Sequence, residues 1–490
     1  MPEIDILLPQ QARRWQIVLA GRLRAGGHDV RLIGTALSDA WPGLLDKMLA
    51  AERRVSRGAE RLSARVEAAT VPESSARATA LRIDLSGGVA SAAALSLRFD
   101  GRSSASAAAV ALAADRPTEI TLLRGDVPIG RASPMIDSRL VVARGLEDVL
   151  ARAVSLLVAA VAGGQAARGG TDAAPAGPHP SSLAGNLLRH AGPAAMRETV
   201  RRLRYWPSHW RVGYRFHDGA GTAETGSLAG PDWQELGDDG LRYYADPFPF
   251  EWQGRFCLFV EEYPHALGKG VISVAEFDAQ QRPSVPRTVL EEPFHLSYPQ
   301  VFAHEGQVWM LPEGGAARQL VLYRAAAFPD RWERHAVLVD GRELFDATLL
   351  AHGGRWWLLA AERDGAGSSA DMLVAFHAER LEGPWRPHAA NPILIDRAQA
   401  RPGGAFARVG RRIVRPVQDG TLGYGGGLGF SDLVRLDEKA VEFTQPVGLL
   451  AGGNWPYPQV HTLNRSGRLE AIDGIARIRR RAAPDRPEAA

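Results

Sequence analysis

The tetrapeptide YPQV occurs at residues 298–301 and again at residues 457–460 of a 490-residue chain. If the two copies mark a structural repeat, further diverged copies are expected between them at regular spacing. Aligning the second half on a hairpin-closing glycine brings them out. ADPFPFEWQGRFCLF sets Asp246 eight residues before Gly254, SYPQVFAHEGQVWML sets Tyr298 eight before Gly306, and FDATLLAHGGRWWLL sets Asp346 eight before Gly354. RPGGAFARVGRRIV sets Pro402 eight before Gly410, and YPQVHTLNRSGRLEAI carries a hairpin two residues longer, to Gly467. The starts at 246, 298, 346, 402 and 457 are separated by 52, 48, 56 and 55 residues. A period of about 50 residues with four short strands is that of a propeller blade. Five starts predict five blades. Too little chain follows Asp473 to complete the fifth, so WRVGYRF at 210–216 is expected to supply a strand and close the ring.

The region before the repeat reads differently. IDILLP at 4–9 and HDVRLIG at 28–34 are strand-like, and residues 15–23 between them carry apolar side chains at helical spacing. Further strands are expected at 81–85, 95–99 and 119–123, with a closing helix over 146–161. This order predicts a small α/β domain with a largely parallel sheet over residues 1–162. The turn after the first strand, LPQQARRW, has no glycine, so a dinucleotide-binding GxGxxG is absent. Residues 163–182, GGQAARGGTDAAPAGPHPSS, read as a flexible linker, 183–209 as a helical connector and 210–482 as the propeller.

Composition narrows the function classes. The 58 basic residues are 55 Arg and three Lys, the net charge is only +3, and apart from RIRRR at 477–481 no arginine block stands alone. A basic stripe with aromatic platforms is missing, which argues against nucleic acid as a partner. Cys257 is the single cysteine, so neither an intrachain disulfide nor a thiolate metal cluster is expected. The longest apolar run, 154–162, is too short to span a bilayer, and MPEIDILLPQ lacks the basic start of a secretory signal. A cytoplasmic protein without a transmembrane segment is the expectation.

In a propeller the innermost strand of each blade lines the central channel and its first residues sit at one mouth. Asp246, Tyr298, Asp346, Arg401 and His461 are therefore expected to converge there. The second strands end in Glu262, Glu313, Glu362, Gln418 and Asp473. Carboxylates with Arg, His and Tyr suit a sugar, whose hydroxyls donate to ionised carboxylates with charge-assisted strength. Trp455 and Tyr457 offer faces for a sugar ring. Glu313, beside Met310 and Leu311, is a candidate for a carboxyl of raised pKa; Glu262 has a similar claim, and Glu261 reads as solvated. No cofactor is implied, although a divalent ion in the channel is compatible with these residues. The glycine run at 424–429 reads as a blade turn.

The strings YYADPF, FVEE, EEPFHLSYPQVF, LPE, FDATLL, NPIL, RPGG and HTL, over about residues 240–475, resemble the N-terminal domain of plant glucosamine inositolphosphorylceramide transferases and its bacterial homologues. That five-bladed domain is in turn similar to family 43 glycoside hydrolases. The resemblance implies that Asp246 matches a general base and Asp346 a modulator of pKa. The family's general acid is a fourth-blade Glu, where this chain has Arg401, so Glu313 or Glu262 is left as proton donor. Residues 1–162 are weakly similar to a formyltransferase-like domain. The single histidine there, His28, implies a degenerate, non-catalytic version. Together these readings imply a carbohydrate-active protein that transfers or hydrolyses glycosidic bonds in bacterial surface-glycan metabolism. Its ligand would be a carbohydrate or sugar nucleotide, bound through Glu262, Tyr298, Arg401, Gln418 and His461, with Asp246, Asp346 and Glu313 catalytic. The alternative is a non-catalytic carbohydrate-binding propeller serving a partner glycosyltransferase among other glycan-synthesis proteins.

Overall fold

The glycines that set the repeat all turn hairpins in the left-handed region, with φ of 77° at Gly254, 74° at Gly306, 77° at Gly354, 60° at Gly410 and 56° at Gly467. At the first four, a Cβ would meet nothing within 4 Å, so backbone conformation and not space demands glycine. Gln253, Glu305 and Gly353 precede three of them and are also at positive φ, giving two-residue turns of type I′. The computed structural model describes residues 3–37, 41–55, 61–66, 80–88, 91–137, 141–167, 183–205, 209–457 and 459–479.

Five antiparallel sheets follow from these hairpins and form a five-bladed β-propeller. Blade 1 runs outward from Arg242–Trp252 through Arg255–Pro264 and Val271–Glu276 to Arg287–Leu290. Blade 2 uses Ser297–His304, Gln307–Glu313, Gln319–Ala327 and Arg331–Asp340, and blade 3 begins with Glu343–His352 and Arg355–Arg363. Blade 4 is built on Ala407–Val409 and Arg412–Gln418. In blade 5, Leu463–Ser466 and Leu469–Ile475 are joined by Trp210–Phe216 and then Gln234–Leu236. Two strands that precede blade 1 in the chain thus close the ring.

One expectation behind the repeat needs correcting. Tyr298 lies in a strand, but Tyr457 of the second YPQV lies outside any strand and donates its hydroxyl to Glu235. The two tetrapeptides are not equivalent; the glycine spacing carries the repeat.

The N-terminal region forms a six-stranded sheet. Asp29–Gly34, Glu3–Leu8, Leu81–Asp84 and Leu95–Phe99 lie side by side in parallel, followed by antiparallel Ile120–Arg124 and Val127–Ala132. Its helices are Arg14–Ala25, Gly43–Val55, Ser106–Ala113 and Val142–Ala162. Of the stretch 163–182 expected to be a linker, residues 165–167 form a 3₁₀ turn with Ala166 and Ala167 buried. The Gln165 and Ala166 amides donate to the carbonyls of Ala390 and Pro392 in the propeller. Residues 168–182 lie outside the described residues.

Contacts between the two regions go deeper than this turn. Arg152, on the helix Val142–Ala162, meets Asp371 of blade 3 at 2.7 Å, both side chains fully buried. The Met135 amide donates to the same carboxylate at 2.8 Å, and Met372 and Ile395 belong to the N-terminal hydrophobic core. Removing one partner of such a pair strands a buried charge. Arg152→Met is expected to cost about 3–5 kcal/mol in denaturant melts of the full chain, and Arg152→Met with Asp371→Asn less than that. A melt that does not respond to Arg152→Met would show that the contact contributes nothing to stability.

Candidate functional site

The openings of blades 1, 2 and 3 share one backbone device. Asp246, Tyr298 and Asp346 have φ of 48°, 45° and 49°, and the strand register slips beside each. Left-handed backbone is uncommon for such residues, and for Tyr it is costly. The conformation turns each amide sideways onto a carboxylate of the preceding blade. Asp246 donates to Asp473 at 3.1 Å, Tyr298 to Asp246 at 3.2 Å, and Asp346 to Glu313 at 3.1 Å. Blade 4 joins through Asp346, which accepts from Arg401 Nε and Gln418 Nε2, both at 2.5 Å. Blade 5 joins through Thr462, whose hydroxyl donates to Asp246 at 2.7 Å.

The result is a buried acidic cluster with Arg401 and His461 set among the carboxylates. Arg401 binds Asp346 through two nitrogens and reaches Glu313 at 3.4 Å. His461 sits between Asp473, at 2.7 Å from Nδ1, and Asp246, at 3.4 Å from Nε2, with Trp210 stacked on it at 3.8 Å. Burial, with Asp346 and Asp473 adding to it against His461, raises Asp246 to about 6. Burial and the surrounding carboxylates push Glu261 and Glu313 well above the usual carboxylate range, against Arg401 in the case of Glu313. Burial presses His461 down, but Asp473 and Asp246 together hold its pKa above the ordinary value.

The structure thus brings together Asp246, Glu313, Asp346, Arg401, Gln418 and His461. Tyr298 contributes its amide, while its fully buried ring lies below, with the hydroxyl 2.9 Å from Thr348 Oγ1. Glu262 is elsewhere. It pairs with Arg242 at 2.6 Å and accepts from Ser273, as Glu362 pairs with Arg342. Glu261, expected to be solvated, is the buried neighbour of the cluster. Trp455 packs on Gly213, and Tyr457 on Gly474 beside Asp473.

Spacing separates the glutamates only in part, since Gln418 of the cluster also lies eight residues beyond its glycine, Gly410. Glu261 and Glu313 each lie seven residues beyond the hairpin glycine, whereas Glu262 and Glu362 lie eight beyond it. Along a strand, one residue is the difference between faces. Tyr424 was also missed. It stands edge-on to His461 at 5.9 Å, with the Arg401 guanidinium 5.2 Å from its ring. Its position in a glycine run gave no periodic signal.

Donor atoms of Asp246, His461 and Asp473 lie within 4.8 Å of one another, a set able to hold a cation. His461 Nδ1 is buried and makes no hydrogen bond although Asp473 lies 2.7 Å away, while Nε2 lies 3.4 Å from Asp246.

Fold and site define a five-bladed propeller with a protonatable acidic channel mouth. A sequence family described as "Glucosamine inositolphosphorylceramide transferase 1, N-terminal" matches residues 237–446. Glucosamine inositolphosphorylceramide transferase 1 of rice (Oryza sativa subsp. indica) is 36% identical over 188 residues, 37% of this chain and 25% of the relative. That of Arabidopsis thaliana is 30% identical over 201 residues, 40% of this chain and 26% of the relative. The match thus spans about a quarter of the length of these relatives. Among solved structures, an α-L-arabinofuranosidase from Podospora anserina is similar with a TM-score of 0.36 at 11% identity, over 50% of this chain and 94% of that one. A family 117 glycoside hydrolase from Zobellia galactanivorans gives 0.35 at 10% identity, over 54% and 90%.

Because folding raises Asp246 from 3.8 to about 6, the folded state binds the extra proton. Its contribution to stability is therefore lost as pH rises through that interval. His461, also raised, loses its contribution as pH rises through its folded pKa. The parent should melt at a higher temperature near pH 5 than near pH 8, and Asp246→Asn should flatten the dependence between about pH 4 and 6. Asn also tolerates the left-handed backbone at this position. A pH dependence over that interval that Asp246→Asn leaves unchanged would contradict this arrangement of charges.

Proposed function

We propose that the propeller binds a carbohydrate or sugar nucleotide at the channel mouth and acts on a glycosidic bond there, in the metabolism of a bacterial surface glycan. The observation that carries this reading is the split in protonation within one buried cluster. Asp246, at about 6, is ionised near neutral pH and can accept a proton, while Glu261 and Glu313 are pushed well above the usual range and can donate one. Carboxyl groups of divergent pKa in one pocket are the requirement for acid–base work on sugars. Asp346, tied to Arg401 and Gln418, positions charge beside Glu313. The plant relatives are named glucosamine inositolphosphorylceramide transferase 1, which supports carbohydrate chemistry as the theme. No cofactor is assigned. If a divalent ion binds, Asp246, His461 and Asp473 are its ligands.

A second reading, a binding propeller that presents a glycan to a partner transferase, draws on Arg401. It occupies the fourth-blade opening and ties up both Asp346 and Glu313. For residues 1–162 a degenerate formyltransferase-like scaffold remains our proposal, resting on the parallel sheet and on His28 as the one histidine there. A cytoplasmic location belongs to the same proposal.

Calorimetry with a panel of sugar nucleotides and oligosaccharides, followed by turnover assays on any ligand found, separates the two. Acid–base catalysis predicts that Asp246→Asn lowers turnover by about 10²-fold or more, and that the parent's rate rises with pH through about 6. Binding alone predicts a loss of about 1.5–3 kcal/mol in affinity and no turnover. Unchanged affinity and turnover in both Asp246→Asn and Glu313→Gln would overturn the assignment of this pocket.

A further inference from the structure

The helix Gly192–Arg204 faces the wrong way for an ordinary surface helix. Met196, Val200 and Leu203 recur at a spacing that places them on one stripe, yet they are 68%, 40% and 75% exposed. No residue of this helix is buried. The half-buried positions are Ala194, Ala195, Glu198 and Arg201, on the opposite side. A helix that packs on its own fold turns apolar residues inward. This one turns two alanines with Glu198 and Arg201 toward the protein and its large apolar side chains outward.

The charges around the stripe have one sign. Arg197, Arg202 and Arg204 are exposed, and the one acidic residue of the helix, Glu198, is paired with Arg201 and Arg202. At the C-terminal end, Tyr205 forms a β-bridge with Arg479. That bridge sets exposed Arg477 and Arg479, from the arginine block of the sequence, beside the helix. Both segments also lead to the channel mouth. Asp473 of the cluster lies four residues before Arg477, and Trp210, stacked on His461, lies five after Tyr205.

We propose that this helix, with the arginines at 477 and 479, docks the protein on an anionic membrane surface, the apolar stripe entering the interface and the arginines meeting acidic headgroups. A narrow apolar stripe flanked by arginine is the pattern of an interfacial helix. A second copy of the chain would set these arginines against each other, and a nucleic acid would leave Met196 and Leu203 without an apolar partner. The proposal goes beyond the reading of the pocket and stands without it.

Flotation of the full chain with vesicles tests it. The chain should float with vesicles of about one-third phosphatidylglycerol in phosphatidylcholine and remain below with phosphatidylcholine alone, and about 0.5 M NaCl should release it. Met196→Ser with Leu203→Ser, and separately Arg202→Glu with Arg204→Glu, should each weaken binding about tenfold or more, with melting temperatures unchanged. Failure to float with the anionic vesicles overturns the proposal, as does binding that both double variants retain. A dimer in sedimentation equilibrium that Met196→Ser with Leu203→Ser converts to monomer, without flotation, would assign the stripe to a second copy instead.

Discussion

Five carboxyl groups share the mouth of one channel, and what makes this tolerable is the way the backbone meets them. At three consecutive blades a residue in left-handed conformation aims its amide across the seam at the neighbouring blade's carboxylate. Each such amide satisfies an acceptor that burial would otherwise leave costly. The same contact fixes blade against blade, so the acidic cluster and the seams of the ring are one construction. Aspartate suits two of the positions because a short polar side chain tolerates left-handed backbone. At Tyr298 the strain falls on a bulky ring, whose hydroxyl then contacts Thr348 beneath the cluster.

Arg401 is the permanently charged cation of the cluster. Its planar guanidinium fork engages Asp346 through two nitrogens. One fixed cation therefore answers two carboxylates from two blades. His461 is held differently, between Asp246 and Asp473 under the face of Trp210. The cluster has a permanently charged side and a titratable side, and Asp246 lies on the latter.

Much of this was legible in the sequence, for identifiable reasons. Hairpin glycines at positive φ are replaceable only at a conformational cost, so their spacing preserved the blade period even where YPQV misled. The openings at Asp246, Asp346, Arg401 and His461 followed from that spacing. Glu261 and Glu262 were confused because the register slips between Phe259 and Glu261, where simple alternation fails. The helix Ser106–Ala113 escaped notice because all eight of its residues are buried, which leaves no polar face to mark a period. Residues 165–167 looked like linker from composition alone, yet their backbone groups bond to the propeller.

The manner of ring closure also bears on how the chain reaches its native state. Trp210 pairs with Ile475, 265 residues further along. Every blade between them can form from neighbouring hairpins as the chain is made, but the last sheet must await the final strands. Until then Trp210–Phe216 presents an open edge, and loop closure on this scale is slow. The ring is thus sealed by the longest-range strand pairing among its five sheets.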